Sequence, residues 1–426
     1  MAKRAFLLAV VLSAWVGVVA SAPAQDWPRF RGPGGLGLGD APNVPATWSE
    51  QDYNWKVAVP GVGHSSPVVV GKRIYLTTGD TQTARRTVLC LDTADGKTLW
   101  KREWDSSPFR QHSDNSFASA TPAADEHGVV ALFGSPSRML LVALDTEGKD
   151  MWSLDLGAYV GMHGSGSSPV IVGDVVVLAN EQEDPGALPT VYRGEAAKQP
   201  AGVSFLIGLD RKSGKERWRI ARKSDQAPYT TPCEFRAPGG PLTLVFSSTA
   251  HGLTAVDPAA GKIVWEVGKL FKDRCCASPS AGAGLVIAGD GLGSRGTHQM
   301  AVRPTADGAT VAYEIKKPTP QVPSPLIVGD LLFLWNDDGW VACYKTATGE
   351  QIWREKVGGA FYGSPVCTGK RIYCISRKGE VAVIAAADKY ELLGRVSLGE
   401  PSYTTPAIAG GRMYLRGRGH LFSLGK

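Results

Sequence analysis

The chain has 426 residues and a mass of 45.2 kDa, long enough to bury a large core, which excludes a disulfide-stapled miniprotein or a disordered tail. Its 51 glycines and 28 prolines are spread along the sequence, which demands many tight turns and excludes a helical bundle. A formal charge of +6 from 46 basic and 40 acidic side chains, with no basic run, excludes nucleic acid as the main partner.

Residues 1–24 read as a secretory signal: Lys3 and Arg4, an apolar run from Ala5 to Ala20, then Ala22-Pro23-Ala24 as a cleavage site before Gln25. The run falls short of the roughly 20 residues of a membrane span, and no Cys follows it to carry a lipid. The expected mature protein is therefore exported, periplasmic or extracellular, soluble and not a lipoprotein. No later segment is long and apolar enough to span a membrane. The cysteines are Cys90, Cys233, Cys275, Cys276, Cys343, Cys367 and Cys374, an odd set that leaves at least one thiol unpaired, and none has metal-site spacing.

From residue 66 onward one short motif recurs: Ser66-Pro67, Thr121-Pro122, Ser168-Pro169, Thr231-Pro232, Ser278-Pro279, Ser324-Pro325, Ser364-Pro365 and Thr405-Pro406. Successive prolines are 40 to 63 residues apart, a period proper to propellers and arrays. Each unit runs Pro, strand, Gly turn, strand, loop, third strand, then a Gly turn and a fourth strand carrying an aromatic residue. PVVVGKRIYLTTG shows the first half, and VLCLDTADGKTLW the second. The aromatic slot holds Trp100, Trp152, Trp218, Trp265 and Trp353, with Tyr313 in the fifth unit and Leu393 in the seventh. These tryptophans are expected to pack between neighbouring units.

No segment carries a helical apolar stripe. Four strands repeated eight times predict an all-β, eight-bladed β-propeller of four-stranded antiparallel blades, since a lone sheet of this kind cannot bury both faces. After Pro406 the chain is too short for a fourth strand, and Asn54-Trp55-Lys56-Val57 is predicted to supply it, closing the ring with an N-terminal strand. The expected organisation is a signal peptide (1–24), an N-terminal extension (25–44) and a propeller (45–426).

The Gly-Lys/Glu-x-x-Trp endings, the Ser/Thr-Pro strand starts and the opening Trp27-Pro28-Arg29-Phe30-Arg31-Gly32-Pro33 resemble the pyrroloquinoline-quinone-like (PQQ-like) β-propeller repeat proteins over essentially the whole mature chain. That group includes the quinoprotein alcohol dehydrogenases and the propeller subunit of the outer-membrane β-barrel assembly machinery. The resemblance implies the fold and leaves the chemistry open.

Loops entering the inner strands should ring one mouth of the channel. Three residues before each Pro stand His64, Ser119, Gly166, Tyr229, Cys276, Val322, Tyr362 and Tyr403, with His163, Arg274 and Cys275 on the same loops. His64, His163, Tyr229, Arg274, Cys275, Cys276, Tyr362 and Tyr403 form the expected ligand-binding funnel, with a plugged channel as the alternative. The excursion 180–202 is read as a lid, a docking loop or a tolerated insertion, and His112–Phe117 as a polar approach or an Asx turn. Gly291-Leu292-Gly293-Ser294-Arg295-Gly296 spells a dinucleotide fingerprint but has no following helix, so it reads as a loop.

The expected function is a non-catalytic, monomeric binding or scaffold propeller. It would take a protein segment, glycan or small ligand at the funnel face, with no catalytic residue, metal or cofactor. Two alternatives stand beside it. A quinone-dependent oxidoreductase would hold PQQ with Ca²⁺, as the resemblance and the adjacent Cys275-Cys276 pair suggest. A hydrolase or lyase would use His64, His163 or Asp114.

Overall fold

Middle strands that are buried along their length and outer strands that alternate are the mark of sheets stacked face to face around a ring. Val175–Asn180 is buried along its whole length, whereas Tyr53–Ala58 and Leu392–Ser397 alternate with solvent. A computed structural model describes residues 25–186, 188, 202–224, 226–305 and 308–425. Their strands form eight antiparallel four-stranded blades. Blade one is Val68–Val70, Arg73–Gly79, Arg86–Asp92 and Thr98–Trp104. Later blades start on inner strands at Ala123, Val170, Cys233, Ser280, Leu326, Val366 and Ala407. The predicted closure is present: Tyr53–Ala58 pairs antiparallel with His420–Gly425, Trp55 opposite Ser423, and so completes blade eight. The leader read into residues 1–24 lies outside the described residues.

Neighbouring blades are joined by two repeated contacts, and both explain the sequence repeat. At the rim, Trp55, Trp100, Trp152, Trp218 and Tyr313 each lie on the Gly turn of the next blade, and Trp353 on the glycine-free turn at Ala387. The indole N–H groups of Trp55, Trp100, Trp152, Trp218 and Trp353 donate to the carbonyls of Thr93, Thr146, Arg211, Pro258 and Ala387, and the Tyr313 hydroxyl donates to Thr346 O. The turn glycine is required twice over. Gly148 has φ +78°, and a Cβ there would stand 2.7 Å from the Trp100 ring.

At the axis, the Ser/Thr-Pro hydroxyls form a closed belt. The backbone N–H of Ser66 donates to Thr121 Oγ1 (2.9 Å), Thr121 to Ser168 (3.0 Å), Ser168 to Thr231 (3.3 Å) and Thr231 to Ser278 (2.9 Å). Ser278 donates to Ser324 (3.1 Å), Ser324 to Ser364 (3.1 Å), Ser364 to Thr405 (3.0 Å) and Thr405 back to Ser66 (3.0 Å).

The inner strands leave backbone groups unpaired at the axis, as any sheet edge does. Residues 25–44, expected as an extension ahead of the propeller, meet this need. Trp27 exchanges both backbone hydrogen bonds with Val69 (2.8 and 2.9 Å), Pro28 O accepts from Ala124, and Gly37 O accepts from Cys367. The Arg29 guanidinium donates to Pro232 O and that of Arg31 to Pro325 O. Leu38–Gly39 adds a parallel strand to blade seven. Trp27, Arg29 and Arg31 are among the largest fully buried side chains. Burial pushes both arginines down to about 10.

Two outcomes follow from this packing. Trp218→Ala, which removes a buried ring and its hydrogen bond, is expected to cost roughly 3–5 kcal/mol in urea unfolding; a cost under about 1 kcal/mol would contradict the inter-blade role. Deleting residues 25–44 is expected to lower the melting temperature and destabilise all eight blades together. An unchanged melting temperature would show that the inner edges do not need the plug.

Candidate ligand-binding funnel

The loops that lead into the eight inner strands converge on one mouth and enclose a cavity of about 730 Å³. Every position three before a motif proline lines it, from His64 round to Tyr403. The eight belt hydroxyls form its lower wall and Phe30, from the N-terminal plug, its floor.

Two ionic clusters meet the wall, the first through Asp114 and Tyr362 and the second through Glu183, Arg274 and Tyr229; Arg377 of the first does not itself line the cavity. In the first, Arg377 pairs with Asp114 and lies over the rings of Tyr362 (4.6 Å) and Tyr403 (5.4 Å). The Tyr362 hydroxyl donates to Asp114 Oδ2 at 3.2 Å and shares a 3.0 Å contact with Ser294 Oγ. His64 stacks on Tyr403, centroids 4.4 Å apart. In the second, Arg274 pairs with the buried Glu183 and lies 5.4 Å from the Tyr229 ring centroid. Its Nη1 donates to Ala227 O at 2.9 Å. The Tyr229 hydroxyl meets His163 Nδ1 at 3.1 Å, and His163 packs edge-on against His112.

The ion pair of each cluster is electrically neutral, and the imidazoles of His64 and His163 add no charge near neutrality. Burial, then the Arg416 charge, hold His64 down to about 4; burial, then Arg274, do the same for His163, also to about 4. Burial keeps the Tyr229 phenol protonated, far above its usual range.

The expected funnel residues separate at the cysteine pair. Cys276 faces the cavity and receives a 3.7 Å contact from Gln321 Nε2. Cys275 does not line it, because adjacent residues in extended chain point oppositely, and its side chain sits fully buried beside Phe271 and Leu270 in the apolar layer between blades four and five. Both thiols are free, and burial pushes Cys276 up to about 12, so neither is a thiolate near neutrality. Gly291–Gly296 lies in a hairpin of blade five with no helix after it, and there Ser294 reaches Tyr362. Most of the 180–202 excursion lies outside the described residues; Glu183 and Leu188 from its ends line the cavity.

Sequence reasoning missed Phe30, Glu183 and Arg377. The last two follow the second strands of their blades. At the end of the second strand of blade five Asp290 accepts the N–H groups of Lys272 and Asp273, and just after that of blade six Asp337 accepts those of Gln321 and Val322. Comparing the residues after the second strand across units was the available signal.

The depressed imidazoles fix a pH response. Between pH 6.5 and about 4 the unfolded chain protonates both histidines while the folded protein keeps them neutral, so the unfolded state binds more protons and stability falls as pH falls. His64→Gln and His163→Gln are each expected to flatten that slope in urea unfolding measured across the window. A slope equal to that of the parent protein would contradict the burial of that ring.

The family model described as "Outer membrane protein assembly factor BamB" matches residues 49–201, 253–392 and 337–424. Among solved structures, BamB from Moraxella catarrhalis superposes with a TM-score of 0.60 at 16% identity, covering 87% of this chain and 96% of that one. The quinohemoprotein alcohol dehydrogenase from Comamonas testosteroni superposes with a TM-score of 0.51 at 12% identity, covering 94% and 80%. A europium-containing methanol dehydrogenase gives 0.51 at 11%, covering 94% and 98%. No curated protein sequence matches. At these identities the structural likenesses speak for the fold alone, whereas the family model spans most of the sequence: the chain belongs to the PQQ-like β-propeller family described by the BamB assembly-factor model.

Proposed function

We propose that this protein is an exported, monomeric binding propeller that receives a ligand or partner segment in its funnel and carries out no bond-making there. One observation carries the reading: the ionisable groups of the wall are committed to each other. Arg377 is spent on Asp114 and Arg274 on Glu183, and the two imidazoles that line the cavity with depressed protonation stay neutral. A general acid or base works with an orienting partner at hydrogen-bond distance. The wall's nearest His–carboxylate approach is His112 Nδ1 to Asp114 Oδ2 at 4.0 Å, and that carboxylate already serves Arg377 and Tyr362. Tyrosine and arginine presented from several loops suit recognition, and the assembly-factor description of the family model supports a partner-binding role.

A quinone cofactor does not fit these donors. PQQ carries three carboxylates, which unpaired cations would have to hold; among the described residues the one guanidinium that lines the cavity, that of Arg274, is paired with Glu183, and that of nearby Arg377 is paired with Asp114. Among the described residues no group of three or more His, Cys, Asp or Glu side chains converges to hold a divalent ion beside it.

The test is reconstitution with PQQ and Ca²⁺ followed by dye-linked oxidation of alcohols and sugars, alongside a Cys275→Ser/Cys276→Ser variant. No turnover above the blank is expected. Quinone-dependent turnover that fell in the variant would replace the binding module with a dehydrogenase.

A further inference from the structure

The hydroxyl belt is incomplete as a hydrogen-bonding system. Each Ser or Thr oxygen of the belt accepts a neighbour's N–H, which leaves its own proton to be donated. Ser364 donates to Ser324 Oγ at 3.1 Å. Among the described residues the other seven hydroxyls have no protein acceptor in the hydrogen-bond network, although none of the eight side-chain-bearing residues is more than 4% exposed. All eight line the cavity. A hydroxyl donor that faces a cavity is satisfied there by water or by the oxygen of a ligand, and here the donors face one space from every side.

Three further features limit what that space accepts. Phe30, half-buried, closes the bottom with an aromatic ring. The charges of the wall cancel in pairs, so a net charge on the occupant would lack a counter-ion. The volume of about 730 Å³ lies within the range of small-molecule sites, about 300–1,000 Å³. The occupant is therefore uncharged, rich in oxygen acceptors around its edge, and apolar on one face. Sugar rings combine these properties, with C–H groups on one face and hydroxyl oxygens at the perimeter.

We propose that the funnel floor is a saccharide site, in which a neutral mono- or disaccharide rests a C–H face on Phe30 and accepts hydrogen bonds from belt hydroxyls, Ser66 and Ser278 among them. This rests on the binding-propeller reading and names the ligand class for it.

The full mature chain is titrated calorimetrically with glucose, galactose, mannose, maltose, cellobiose and N,N′-diacetylchitobiose, at low and high salt. At least one sugar is expected to bind with salt-insensitive affinity, and Phe30→Leu, which keeps apolar bulk but removes the flat face, is expected to weaken it by about tenfold. Saturation-transfer NMR on the unaltered protein keeps the question decidable should the variant misfold: irradiating aromatic protons is expected to label the sugar's ring C–H protons most strongly. Silence across the panel, an affinity untouched by Phe30→Leu in a folded variant, or transfer without preference for ring C–H protons would each overturn the saccharide site. If the panel is silent and no quinone-dependent turnover is found, the ligand class falls and the binding module stands. If that turnover is found, both fall.

Discussion

A backbone N–H that donates to the hydroxyl of the next blade, repeated until it returns to its start, is the constraint on which this molecule is built. The belt has no first or last member, so each inner strand is positioned from both sides. The proline after each hydroxyl residue has a reason of its own. It offers no N–H to compete for that oxygen, and it restricts the residue before it to extended backbone, which aims N–H one way round the ring and hydroxyl the other. The tryptophan contacts do at the rim what the belt does at the axis, and a blade held at both ends has little freedom to rotate against its neighbours.

The same geometry makes the funnel rigid. Loops that would otherwise be free are tied down where they enter their blades: the N–H groups of Lys272, Asp273, Gln321 and Val322 end on Asp290 and Asp337, and Val160 N–H ends on Gln182. Burial raises the Asp337 carboxyl to about 6, which shows how far from water these anchors lie. Wall residues such as Tyr229 and Tyr362 are thus presented by fixed backbone, the preorganisation that the proposed binding role would use.

Most of the ring was legible because its two inter-blade contacts are made by residues that must recur. Ser/Thr-Pro marks each inner strand, and Gly followed by an aromatic residue marks the outer strands of the first six units, so counting units and finding the missing strand at Trp55 required no long-range knowledge. The eight mouth positions were legible for the same reason, being a fixed offset from Pro. What escaped is what the repeat does not contain. Trp27–Pro33 has no internal period, and its place depends on unpaired edges that exist only once the ring is formed. Cys275 differs from Cys276 by one position on the loop before the inner strand, yet its side chain lies in the core while that of Cys276 lines the cavity. The partnerships of Asp114 with Arg377 and of Glu183 with Arg274 join loops far apart in sequence, and local spacing holds no trace of them.

A propeller open at both ends is a conduit, through which a polymer can be threaded or a solute passed. Here Trp27 and the two buried arginines occupy the far end, and Phe30 stands where the passage would continue. The funnel is a cul-de-sac. A ligand of the proposed kind would have to present a terminus or a whole small molecule rather than the middle of a strand, and would leave by the route it came. Its release would then depend on the mouth alone, and substitutions among the mouth tyrosines would act on residence time.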